Sequence, residues 1–213
     1  KCGGSNIFNC LLILGLSAII SPLVVSYRLI RFDVPLMVAA SVVVFLFGFD
    51  GSIGRLEGTV LFACVAGYTV RLVVQGRRET AGSDDYAQAP EGNATTVLLI
   101  AQIAGGLVML VAGSRWLVNG AVVIAGMLGV SDLIVGLTVV AAGTSLPELA
   151  TSVIASFRGE RDIAVGNVVG SNLFNIFAVL GLTGALSPHG VMVDLAAIRF
   201  DIPVMVAAAA ACM

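Results

Sequence analysis

Residues 4–9 read GSNIFN and residues 170–175 read GSNLFN. Outward from these hexapeptides the match continues at the same offset of 166, with Leu14-Gly15-Leu16 against Leu180-Gly181-Leu182 and Ser21-Pro22 against Ser187-Pro188. After a slip of two residues it resumes. Arg31-Phe32-Asp33 and Pro35 face Arg199-Phe200-Asp201 and Pro203, and Met37-Val38-Ala39-Ala40 faces Met205-Val206-Ala207-Ala208. So many identities in order define a duplicated unit, and a repeat of this kind constrains the fold before any local pattern does.

The solvent of that unit follows from composition. The 213 residues are 58% hydrophobic and 11% charged, against about 45–50% and about 25% in soluble domains. Apolar segments run roughly 4–25, 34–49, 56–75, 95–128, 132–157, 162–186 and 201–213, separated by polar or charged joints. A helical membrane span needs about 20 apolar residues, whereas membrane strands need alternating segments of about ten. The reading is an all-α membrane protein, a helical bundle with about seven spans. The first copy opens in the first span and the second copy in the sixth, so an odd number of crossings lies between them and the copies are inverted. Inverted repeats are a construction habit of secondary transporters, whose substrate site lies near the bilayer midplane between the repeats.

The repeat also divides the chain. Residues 1–75 form the first repeat, 76–94 a charged linker (GRRETAGSDDYAQAPEGN over 76–93), and 95–213 the second repeat. Aligning the two copies predicts that each is incomplete: roughly 72 residues precede Lys1 and roughly 30 follow Met213, for a whole of about 315 residues and ten spans.

Several classes fall away. Disorder and coiled coils need more charge, and eleven scattered cations with a net charge of −2 leave no stripe for nucleic acid. Cys2, Cys10, Cys64 and Cys212 show no paired spacing and read as small hydrophobes without a disulfide or metal framework. The N-terminal run carries Asn6 and Asn9 in its middle and belongs to the repeat, which argues against a signal peptide. No nucleophile–base pair or metal-ligand cluster suggests an enzyme.

Joint charges set orientation, because cytoplasmic loops collect Lys and Arg. Alternate joints place Arg28, Arg31, Arg71, Arg77, Arg78, Arg158 and Arg161 on one side and Arg55 and Arg199 on the other. The linker is therefore expected in the cytoplasm. Arg115, inside the 95–128 run, reads as snorkelling from a long tilted helix, and His189 as a loop histidine.

Of thirteen acidic residues, one departs from the joints. Glu148 lies roughly 24 Å along a helix from Asp132 and 15 Å from Arg158 at about 1.5 Å per residue, which is membrane depth. An ionisable group there is by default a functional-site candidate. In Gly143-Thr144-Ser145-Leu146-Pro147-Glu148 the hydroxyls sit at i−4 and i−3 from the carboxylate, one helical face. Pro147 lacks an N–H and crowds the carbonyl of Gly143, so the helix is expected to open and free carbonyls near Ala141 to Gly143. The next span carries Asn167, Ser171 and Asn175 at intervals of four, a polar stripe beside the close-approach pair Gly166 and Gly170. Ser5 and Asn9 repeat that stripe in the first copy.

Carboxylate, hydroxyls, amide and backbone carbonyls are hard oxygen ligands of the kind Ca²⁺ takes six to eight of, and Na⁺ uses the same types. They do not suit zinc or copper. One carboxylate cannot neutralise a dication in a low-dielectric site, so a second acid is expected in a matching glutamate motif upstream of Lys1.

These residues resemble the sodium/calcium exchanger family of the calcium/cation antiporter superfamily, in its prokaryotic type. The likeness rests on GTSLPELATS at 143–152, GNVVGSNLFN at 166–175, GSNIFN at 4–9 and GSRWLVNGA at 113–121. It implies a ten-span inverted-repeat fold in the cell's inner membrane. It also implies a cation site lined by Glu148, Thr144, Ser145, Ser171, Asn175, Ser5 and Asn9, with the Ala141 carbonyl as a further ligand. Ca²⁺ and Na⁺ would be transported substrates, with no cofactor and the lipid bilayer as surroundings. Potassium-dependent relatives tend to carry Asp where Asn175 stands, so Asn9 and Asn175 favour sodium coupling without potassium.

The leading reading is an electrogenic Na⁺/Ca²⁺ antiporter working by alternating access. A proton-coupled or potassium-dependent calcium/cation antiporter is the alternative, and a channel-like or purely structural membrane protein the third.

Overall fold

The computed structural model describes residues 2–23, 26–27, 29–82, 96–129 and 143–213. Among the described residues seven helical units follow one another, in the order of the apolar segments: α1 Cys2–Ile20, α2 Leu29–Asp50, α3 Arg55–Gly82, α4 Thr96–Met127, α5 Leu146–Phe157, α6 Arg161–Leu186, and α7, where Ala197–Asp201 continues as Ile202–Ala210. Five of them are long and apolar enough to cross a membrane, namely α1, α2, α4, α6 and Arg55–Arg77 within α3. The helix α3 runs on to Gly82, past the apolar segment and into residues expected to be linker. Arg77, Arg78 and Glu79 are good helix formers, so helical hydrogen bonding need not stop where the membrane does.

The duplication appears in backbone geometry. The turns widen to π-helix at Asn9–Ile13 in α1 and again at Asn175–Leu180 in α6, matching positions of the two copies. The same happens at Leu29–Asp33 in α2 and Ala197–Asp201 in α7. Single-turn π segments are rare and cluster at functional sites, so their recurrence in register marks them as properties of the repeated unit.

Joints expected on one side of the membrane meet each other. Between α1 and α2, the Ser26 N–H donates to the carboxylate of Asp162 in the first turn of α6 at 2.7 Å, and Arg161 Nε donates to Ser21 Oγ at 3.3 Å. At the opposite end, Ser52–Ile53 (β1) pairs antiparallel with Val191–Met192 (β2), and Arg55 Nε donates to the Ser187 carbonyl at 3.1 Å. Among the described residues two pairs of alternate joints thus meet, as spans that each cross once require.

Packing explains which helices lie inside. Val165, Val169, Leu173, Ile176 and Phe177 of α6 form one core with Met37, Ala40 and Val44 of α2 and with Ile202, Met205 and Ala208 of α7. The helix α3 runs against α6 at Gly58: a Cβ there would press on backbone of Gly181, Gly184 and Ala185. Small residues let two backbones touch where lipid gives no hydrophobic driving force. Toward the other end α3 and α6 part around a cavity of about 690 Å³ lined by Asp33, Asp162, Tyr68 and Gly166. Arg71 lies over the Phe32 ring at 3.0 Å and pairs with buried Asp33 at 3.6 Å. Cys10 is in the core, and all four cysteines are free.

Candidate cation site

Three helices carry the residues singled out above, and a side-chain hydrogen bond ties each pair of them. Between α5 and α6, Ser171 Oγ donates to Glu148 Oε1 at 3.0 Å. From α1 to the N-terminus of α5, Ser5 and Ser145 share a hydroxyl hydrogen bond of 2.7 Å. From α1 to α6, Asn9 Nδ2 donates to Asn172 Oδ1 at 2.9 Å and Asn175 Nδ2 donates to Asn6 Oδ1 at 3.0 Å. The triangle closes on oxygen-bearing groups throughout.

Local sequence accounts for these positions. Gly143 and Thr144 are helical, Ser145 is a turn with φ −100° and ψ 5°, and α5 starts at Leu146 with Pro147 in its first turn. Proline is tolerated there because its missing N–H has no intrahelical partner anyway. The expected break is therefore present, but it changes the expected face. An i−4, i−3 arrangement presumes a continuous helix, and across the turn Ser145 becomes fully buried while Thr144 is exposed. Thr144 lines a hollow with Asn119 and Val118 of α4, where the Val118 side chain fills the space over Gly143. Ala141 lies outside the described residues.

On α6 the stripe at intervals of four holds. Asn167 Nδ2 donates to the Glu148 backbone carbonyl at 3.1 Å and to Ser152 Oγ at 3.0 Å, below Ser171 and Asn175. Asn167 thus pins α5 to α6 next to the carboxylate.

Four buried oxygens lack a hydrogen-bond partner among the described residues, those of Ser17 and Gln75 and two on expected site residues. Glu148 Oε2 and Asn9 Oδ1 are buried and lack a hydrogen-bond partner among the described residues. Leaving such groups unpaired is costly, most of all for a charged one, unless a cation ligates them. Among the described residues no three His, Cys, Asp or Glu gather, so a cation placed here would meet one carboxylate with hydroxyl and amide oxygens. That donor set suits Na⁺ and Ca²⁺ and fits no thiophilic metal.

Asn6 and Asn172 were not among the expected site residues. Both are buried, and they hold the two site asparagines. They fall off the stripe, but their identity at the offset of 166 was a signal in the sequence.

Fold and site together define an all-helical membrane protein built as inverted repeats around a half-buried glutamate. A family model described as sodium/calcium exchanger protein matches residues 1–74 and 98–213. The chain belongs to the sodium/calcium exchanger family. Among similar proteins, CaxA of Alkalimonas amylolytica is 42% identical over 214 residues, covering 96% of this chain and 65% of CaxA. The inner membrane protein YrbG of Escherichia coli is 41% identical over 192 residues, covering 87% and 58%. The sodium/calcium exchanger MaX1 of Methanosarcina acetivorans is 49% identical over 90 residues, 42% of this chain and 26% of that one. Among solved structures, the sodium-calcium exchanger NCX_Mj soaked with zero Na⁺ and Ca²⁺ superposes with a TM-score of 0.78 at 29% identity, covering 99% of this chain and 65% of NCX_Mj. The chain thus spans 65% or less of the length of these relatives.

Proposed function

We propose that the complete protein exchanges Na⁺ for Ca²⁺ across the membrane by alternating access, with Glu148 as the charged ligand of a site shared by α1, α5 and α6. The observation that carries this is the buried, unpartnered Oε2 of Glu148 at the α5 break, hydrogen-bonded through Oε1 to Ser171 of the opposing helix. Family membership supports a cation as the cargo. Glu148, Ser145, Ser5, Ser171, Asn9 and Asn175 are the proposed ligands, with Thr144 and the Ala141 carbonyl completing the set.

The charge argument still asks for a second carboxylate from the other copy of the glutamate motif, since a single one leaves a dication half neutralised. Two carboxylates hold one Ca²⁺ or a few Na⁺ in overlapping positions, and overlap makes the two ions compete, which is what exchange requires. Asparagine at 9 and 175 supports coupling to sodium without potassium. The arginine-rich end, with the linker, is proposed to face the cytoplasm.

The test is calcium uptake into proteoliposomes of the complete protein under two gradients. Outward sodium at constant pH should drive uptake, and a proton gradient without sodium should not. Uptake that follows the pH gradient and ignores sodium would establish the proton-coupled alternative instead.

A further inference from the structure

Asn6 and Asn172 sit beside the proposed ligands, and their hydrogen bonds have a direction. An asparagine amide has one end that accepts and one that donates. The donating end of Asn172 is taken up, since its Nδ2 donates to Cys10 Sγ at 3.0 Å and to Met37 Sδ at 3.3 Å. This leaves Oδ1 of Asn172 as the acceptor for Asn9 Nδ2. With its NH₂ held, Asn9 has its Oδ1 on the other side of the amide, buried and unpartnered.

The second copy repeats the relay. Asn6 Nδ2 donates to the Asn172 carbonyl at 3.3 Å and to Met205 Sδ at 3.7 Å, and Asn6 Oδ1 accepts from Asn175 Nδ2. Asn6 corresponds to Asn172 in the duplication, Asn9 to Asn175, and Met37 to Met205. The two sets, related by the repeat, thus share the direction of the amide–amide hydrogen bond and a methionine sulfur as acceptor of the outer NH₂.

We propose that Asn172 and Asn6 are positioning residues that lock the amide orientation of Asn9 and Asn175, so that carbonyl oxygens and not NH₂ groups are presented to the cation. This rests on the proposed cation site and adds the device that sets its polarity. A reversed amide would offer two N–H donors to a cation, turning a ligand into a repulsive group. Groups that orient a metal's ligands typically contribute about 10–100-fold to affinity.

The test uses a ligand that needs no orienting. A carboxylate presents an oxygen whichever way it turns, so Asn9→Asp should make Asn172 dispensable. The readout is the Ca²⁺ concentration giving half the calcium-induced rise in melting temperature of the complete protein purified in detergent. In the otherwise unaltered protein, Asn172→Leu should raise that concentration at least about tenfold. In the Asn9→Asp protein, the same substitution should change it less than about twofold, because the two effects do not add when one residue acts through the other. The mirror pair, Asn6→Leu with and without Asn175→Asp, should behave alike and gives a second reading where one leucine variant fails to fold. Equal fold-changes in both backgrounds, or no change on Asn172→Leu alone, overturn the positioning role and leave the cation site standing. An unaltered protein whose melting temperature does not respond to Ca²⁺ overturns the site and this inference together.

Discussion

A carboxylate at membrane depth costs about 3 kcal/mol or more to insert, and Glu148 keeps only one of its oxygens hydrogen-bonded among the described residues. A group placed there for packing alone would have both oxygens satisfied, as buried polar groups generally are. The unpaired oxygen is therefore the residue-scale argument for a ligand. Glu148 was readable in sequence because fourteen uncharged residues precede it, Leu133 to Leu146. Ser171 and Asn175 were readable because a spacing of four draws a stripe on a helix. Asn6 and Asn172 carried only their identity at the offset of 166, since an amide off the stripe looks like any interhelical contact until its partner is seen across the interface. Thr144 differs: its spacing presumed a continuous helix up to Glu148, and ahead of the turn at Ser145 it stands exposed while Ser145 is buried.

Elements carry the duplication further than residues do. The π segments at Asn9–Ile13 and Asn175–Leu180 occur in matched places, yet hydrophobic periodicity is too coarse to predict one wider turn. The crossing of α3 on α6 was equally invisible, because Gly58, Gly181 and Gly184 belong to apolar runs whose partner only the fold selects. It yields a stability prediction. Gly58→Ala would drive a methyl group into backbone of α6, and overpacking costs about 1–3 kcal/mol. At about 2–4 °C per kcal/mol for chains of this size, the melting temperature should fall by roughly 5 °C. Alanine at Gly67 on the same helix meets open space and should leave it unchanged; equal effects at both positions would remove the close crossing from the account.

At the scale of the molecule, four described joints meet in two pairs, through the hydrogen bonds Ser26–Asp162 and Arg55–Ser187. Counting spans and charges in the sequence put the joints of each pair together on one side, because apolar length and arginine placement are one-dimensional signals. Which joints touch was beyond such counting. The division predicts that a protease site inserted between Ser83 and Asp84 is cut in inverted membrane vesicles and resists protease added to sealed right-side-out ones; the reverse pattern would invert the molecule. The central claim concerns the charge at the site and is tested most directly by sodium-gradient-driven ⁴⁵Ca²⁺ uptake in proteoliposomes of the complete protein and its Glu148→Gln variant. The substitution preserves shape and removes the charge. Uptake in the unaltered protein and its loss in the variant is the predicted result, and undiminished uptake by the variant would contradict it.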